Sequence, residues 1–104
     1  MTDTTTHLTR HGKQVLDELS PLHRSLRHAI PEVYQGFAAL HGASFATGAL
    51  DVKTKELIAL AIGVAEGCDG CIASHAQAAV CAGATRQEAA EAIVKIAVPG
   101  MYLE

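Results

Sequence analysis

The sequence predicts an all-α fold, a compact helical bundle built around a central antiparallel helix hairpin. Apolar residues recur at three- and four-residue spacings along most of the chain, glycines and prolines fall at the ends of those stretches, and no segment alternates as a strand does. Residues 1–7 (MTDTTTH) are polar and read as a flexible tail, with residues 8–104 as a single domain. From Leu8 to about Ala29 the helical period holds, and Ser20-Pro21 fits an N-cap followed by proline, so two short helices or one interrupted helix are expected. Pro31 can open the next helix, in which Val33, Phe37, Leu40, His41 and Phe45 follow in rhythm until Gly48.

Asp51 caps a central helix over Val52 to Glu66 whose middle is apolar on all sides, as suits a helix packed inside a bundle. Gly67 stops it. The next helix starts around Cys68 or Asp69 and runs to Ala82, where Gly83 ends it. Thr85 and Glu88 form a capping box for the last helix, Arg86 to about Ala97, with Ala89, Ala92, Ile93 and Ile96 inward; Pro99-Gly100 terminates it.

Composition narrows the function. Apolar residues make up 49% of the 104 residues, yet aromatics only 4% with no Trp, so Ala, Leu, Ile and Val must build the core. Small side chains bury little area, at about 25 cal/mol per Å², so the chain is expected to complete its core as a homo-oligomer. A net charge of −3 with eight scattered Lys and Arg argues against nucleic acid and against an anionic membrane surface. The longest apolar run, Leu57 to Ala65, falls far short of the roughly 20 residues that cross a bilayer. Three cysteines do not suit a disulfide framework and no signal peptide is visible, so a cytoplasmic location is expected.

In the cytoplasm a CxxC pair is more often redox-active or metal-binding than structural. Cys68, Cys71 and His75 stand at i, i+3 and i+7, one stripe of one helix. Folding at Gly67 brings Glu56, on the preceding helix, within about one turn of His75, at about 1.5 Å of rise per residue. A thiol attacks as thiolate, and a helix N-terminus, a CxxC partner or an imidazole favours that form. His75 can take a proton from Cys71, and Glu56 can orient His75, the logic of nucleophile, base and orienter. The candidate catalytic residues are therefore Cys68, Cys71, His75 and Glu56, with the pair closing and reopening a disulfide. Spacing alone leaves open which cysteine attacks: exposure favours Cys68, proximity to His75 favours Cys71.

The order Glu56, eleven residues, Cys68-Asp69-Gly70-Cys71, three residues, His75 resembles the alkylhydroperoxidase D-like branch of the carboxymuconolactone decarboxylase superfamily. The surrounding run from Gly48 to Ile93 is similar too, including the Gly83-Ala84-Thr85 turn, and the likeness covers roughly residues 30–98. It implies a trimeric or hexameric helical protein acting as a disulfide-cycling peroxidase or disulfide reductase. In such a protein Cys68 and Cys71 are the redox pair, and Glu56 and His75 relay protons through water. A hydroperoxide or disulfide is the substrate, and an external dithiol of thioredoxin or lipoamide type is the reductant. The best-known alkylhydroperoxidases carry a histidine between the cysteines, next to the second; Gly70 stands there in this chain and shortens the relay.

Blander readings compete. Zinc on Cys68, Cys71 and His75 lacks a fourth ligand, and with no second CxxC neither a metal nor a cofactor is expected. A decarboxylase of a muconolactone-type acid is a rival, although members with that chemistry generally lack the CxxC. A non-enzymatic helical assembly module is another. Cys81 reads as a small apolar helix residue, His41 as packing or the edge of a pocket, and Ser74 as a neighbour of Cys71. His7, His11, His23 and His28 read as surface.

Overall fold

Five helices and no strand make up residues 12–97, the part of the chain that the computed structural model describes. They are α1 (Lys13–Ala29), α2 (Pro31–Phe45), α3 (Val52–Glu66), α4 (Asp69–Cys81) and α5 (Arg86–Ala97). The all-α class is the one expected. The expected tail over residues 1–7, the helical start at Leu8 and the stop at Pro99-Gly100 lie outside the described residues. None of the described helices is long and apolar enough to cross a membrane.

The α3–α4 hairpin is the most extensive contact, with α5 laid on α3 and α1 on α4. Its ends are set by local chemistry. The Asp51 carboxylate accepts the Thr54 N–H at 2.8 Å, satisfying a donor that the first turn cannot pair internally. Gly67 turns the chain at φ 68°, a conformation that only glycine adopts without strain, and the next amide, Cys68 N–H, closes on the Gly63 carbonyl at 3.0 Å. The capping box forms as expected: Thr85 N–H donates to Glu88 Oε1 at 2.9 Å, and Glu88 N–H donates to Thr85 Oγ1 at 3.0 Å. Glu88 also pairs with Lys53 Nζ at 2.7 Å, joining the start of α5 to that of α3.

The buried apolar side chains among the described residues are few: Val15, Leu60, Ala73 and Ala79. Small residues let the helices approach closely. At Gly63 a Cβ would stand 3.1 Å from Cys71 Cβ and 3.3 Å from the Ile72 amide nitrogen, so α3 runs against the backbone of α4 at the second cysteine.

The structure corrects several details. α1 passes through Pro21 unbroken, where an interruption was expected. The proline leaves the Asp17 carbonyl without its helical partner, but Asp17, Ser20 and Pro21 face solvent, where water can take that place. α2 stops at Phe45, short of Gly48, because Ala46 turns extended. Lys55 Nζ accounts for two carbonyls there, Ser44 O at 2.9 Å and Ala46 O at 2.6 Å. α4 ends one residue early, at Cys81. The all-round apolar α3 is not covered on every side, since Ile58 and Ile62 are exposed, and Ile93 of α5, expected inward, is exposed too. On α2, Val33 and Leu40 are 68% and 69% exposed, so its apolar rhythm faces solvent.

Candidate active site

Cys68 is the N-cap of α4 and Cys71 lies in its first turn. Sulfur does here what a Ser or Asp oxygen does at other helix starts: Cys68 Sγ accepts the Cys71 N–H at 3.3 Å. The two sulfurs share a hydrogen bond at 2.7 Å, against about 2.05 Å in a formed disulfide. Both thiols are free and half-buried. Cys71 is pushed above the usual thiol range, first by its hydrogen bond to Cys68, then by burial and by the negative charges of Cys68 and Glu66. The raised value favours the thiol form of Cys71.

One turn beyond Cys71, His75 Nδ1 meets Glu56 Oε2 at 2.8 Å. Glu56 is 5% exposed, and it is the one buried charged side chain among the described residues. With Glu56 ionised, Nδ1–H donates to it and Nε2 keeps a lone pair that can take a proton. The ring of Phe45, at the end of α2, stacks on His75 with centroids 5.6 Å apart and planes 22° apart. The stack continues along α2 through His41, 4.7 Å from Phe45, and Phe37, 6.1 Å from His41. Lys55, by holding the last carbonyls of α2, fixes the helix end that carries Phe45.

A cleft of about 570 Å³ opens over this group. Cys68, Cys71 and His75 line it from α4 and its cap, Leu16, Leu19 and His23 from α1, and Phe37 and His41 from α2. α1 lies directly on the CxxC turn: a Cβ at Gly70 would come within 2.7 Å of Leu19 Cδ1. The space next to the second cysteine is thus taken by α1, and a larger residue at 70 would have to displace Leu19. Among the described residues, no three of His, Cys, Asp and Glu gather as a metal-holding group.

The structure brings all four expected residues into one cluster, two linked pairs on adjacent turns of a hairpin. It also adds Phe45, read only as part of a helical rhythm, and puts His23, exposed as expected, among the residues that line the cleft. Phe45 carried a weak signal, its i+4 spacing from His41; His23 carried none, because its role depends on where α1 crosses α4. Ser74 and His41 line the cleft, in keeping with their reading as site neighbours. Cys81 lies apart at the exposed end of α4.

The family model of the carboxymuconolactone decarboxylase family matches residues 31–102. A crystal structure of an apo carboxymuconolactone decarboxylase family protein from Legionella pneumophila superposes with a TM-score of 0.77 at 37% identity, covering 95% of this chain and 82% of that one. Among curated proteins, an uncharacterised Haemophilus influenzae protein is 40% identical over 71 residues, 68% of this chain and 57% of that protein. An uncharacterised Cupriavidus necator protein is 34% identical over 86 residues, 83% of this chain and 76% of that one. An uncharacterised protein of the cox locus of Paracoccus denitrificans is 46% identical over 57 residues, 55% of this chain and 51% of that protein. The matched segments thus span between about half and three-quarters of those relatives.

Proposed function

The chain belongs to the carboxymuconolactone decarboxylase family, and we propose that within it the chain works as a thiol–disulfide oxidoreductase that reduces organic hydroperoxides or disulfides. The observation that carries this reading is the Cys68–Cys71 dithiol, sulfurs 2.7 Å apart, lining a cleft together with His75, whose Nδ1 is paired with the buried Glu56.

Cys68 attacks first. Its sulfur lies at the helix N-terminus and accepts the Cys71 N–H, while Cys71, raised above the usual thiol range, keeps its proton. With a hydroperoxide, the Cys68 thiol gives its proton to His75 Nε2, its sulfur bonds to the outer oxygen as the O–O bond breaks, and the alkoxide leaves as alcohol with that proton. Cys71 passes its proton to His75 Nε2 and attacks the sulfur of the resulting sulfenic acid. Hydroxide departs as water with the proton from His75, and the Cys68–Cys71 disulfide forms. One dithiol has supplied two electrons to one peroxide. With a disulfide substrate, Cys68 displaces one thiolate and Cys71 the other, giving two thiols and the same enzyme disulfide. An external dithiol restores the pair through two exchanges. Glu56 stabilises the imidazolium during the transfer, and Phe45 holds the ring in plane.

The exposed apolar faces of α2 and α3 support assembly as a homotrimer or homohexamer. A reducing compartment such as the cytoplasm suits a resting dithiol.

Mixing reduced protein with one equivalent of cumene hydroperoxide or a small aromatic disulfide, then quenching with acid and counting thiols, tests the reading. Loss of two thiols per chain, blocked in Cys68→Ser and Cys71→Ser, is expected. Oxidation that proceeds equally in either variant contradicts it.

A further inference from the structure

The cleft does not end at the thiols. A second hollow of about 380 Å³, reaching Tyr34 and Gly42 on α2, shares His23, Phe37, His41 and Ser74 with the first, so the two form one continuous groove. Its lining mixes two chemistries. Leu16, Leu19 and Phe37 are apolar. Among them stand His23 from α1, His41 from α2 and Ser74 from α4, which line both hollows, and Tyr34, which lines the second. Each of these four can donate a hydrogen bond. Among the described residues, no Asp, Glu, Lys or Arg lines either part. His41 is held between the rings of Phe37 and Phe45, which limits its rotamers before any ligand arrives.

From this lining we propose that the substrate is a carboxylate-bearing organic disulfide or hydroperoxide, whose acid group docks between His23 and His41 while its reactive bond lies over Cys68. A carboxylate offers about four acceptor sites and no donor, the complement of a wall made of donors. Inorganic peroxide is about the size of a water and leaves nearly the whole groove unfilled, whereas a groove of several hundred Å³ suits an organic molecule. His23 and His41 are specificity residues in this account; they touch the substrate and not the reacting atoms. The inference rests on the proposed thiol chemistry for the reactive end, but the acid-binding end is independent of it.

The test uses two readouts. In single-turnover oxidation of the reduced protein, 3,3′-dithiodipropionic acid is compared with its diamide, which has the same shape and no charge. The acid reacts about tenfold faster, equivalent to about 1.4 kcal/mol, and His23→Asn with His41→Asn brings the ratio near one. Separately, suberate, the all-carbon counterpart of that acid, is titrated into the Cys68→Ser/Cys71→Ser protein while the histidine ring protons are followed by NMR. Shifts at His23 and His41, absent with suberamide, are expected. Suberate binding without disulfide turnover upholds the acid site and removes the redox reading. Equal rates for acid and diamide, with no shift on suberate addition, overturn the acid site and leave the redox reading standing.

Discussion

The two halves of the site are built differently. The α3–α4 hairpin is tight: Gly63 runs against Cys71, Leu60, Ala73 and Ala79 are buried, and a glycine turn fixes the register. The α1–α2 pair is open. Residues 20–33 are exposed throughout, the helices meet at the single corner residue Ile30, and Val33, Phe37 and Leu40 face solvent. Under the proposed function, the chemistry that needs sulfurs and a carboxylate–imidazole pair held to a few tenths of an ångström falls to the first, and recognition of a ligand or a second copy to the second.

The largest effect that tests this contrast comes from the hairpin. His75→Ala removes the base and lowers the rate of disulfide formation by about 10²–10⁴-fold. It also strands the buried Glu56 carboxylate, at about 1–3 kcal/mol of stability; stopped-flow thiol oxidation and urea unfolding read the two. Glu56→Gln, which can still hydrogen-bond to His75, is expected to slow the reaction by a smaller factor with little loss of stability. A rate unchanged in both variants breaks the assignment of this pair.

Next comes Gly63→Ala, whose added methyl presses on Cys71 Cβ from 3.1 Å and destabilises the hairpin by about 1–3 kcal/mol. Its counterpart on the open side, Leu40→Ser, leaves protomer folding near neutral because Leu40 is exposed. Sedimentation of Leu40→Ser shows a lighter species if α2 makes an interface between copies. Full-size assembly assigns that role to another face, such as Ile58 and Ile62.

The smallest effect is a titration. Cys71 is raised chiefly by its bond to Cys68, so Cys68→Ala moves it back toward the ordinary thiol value. Its alkylation at mildly alkaline pH therefore speeds up. Because a raised thiol favours the protonated fold, the wild-type protein also loses stability relative to Cys68→Ala as pH rises past the thiol value of the unfolded chain.

The same division explains what could be read beforehand. Glu56, Cys68, Cys71 and His75 were legible because a short hairpin converts sequence spacing directly into distance. Asp51, Gly67 and the Thr85–Glu88 box were legible because caps are local. His23, Phe45, Leu19 and Lys55 were not, since each acts through the angle at which α1 or α2 meets the hairpin, and no local pattern encodes that angle. The apolar period of α2 correctly marked a helix, but periodicity does not say whether its apolar face meets this chain or another.

The redox midpoint of the Cys68–Cys71 pair, from thiol counting in glutathione and dithiothreitol buffers, tests the central claim most directly. A reversible two-electron transition between about −220 and −300 mV is predicted, abolished in either Cys→Ser variant. Thiols that never pair under oxidising buffer, or that become countable only after a chelator strips zinc from them, would contradict it.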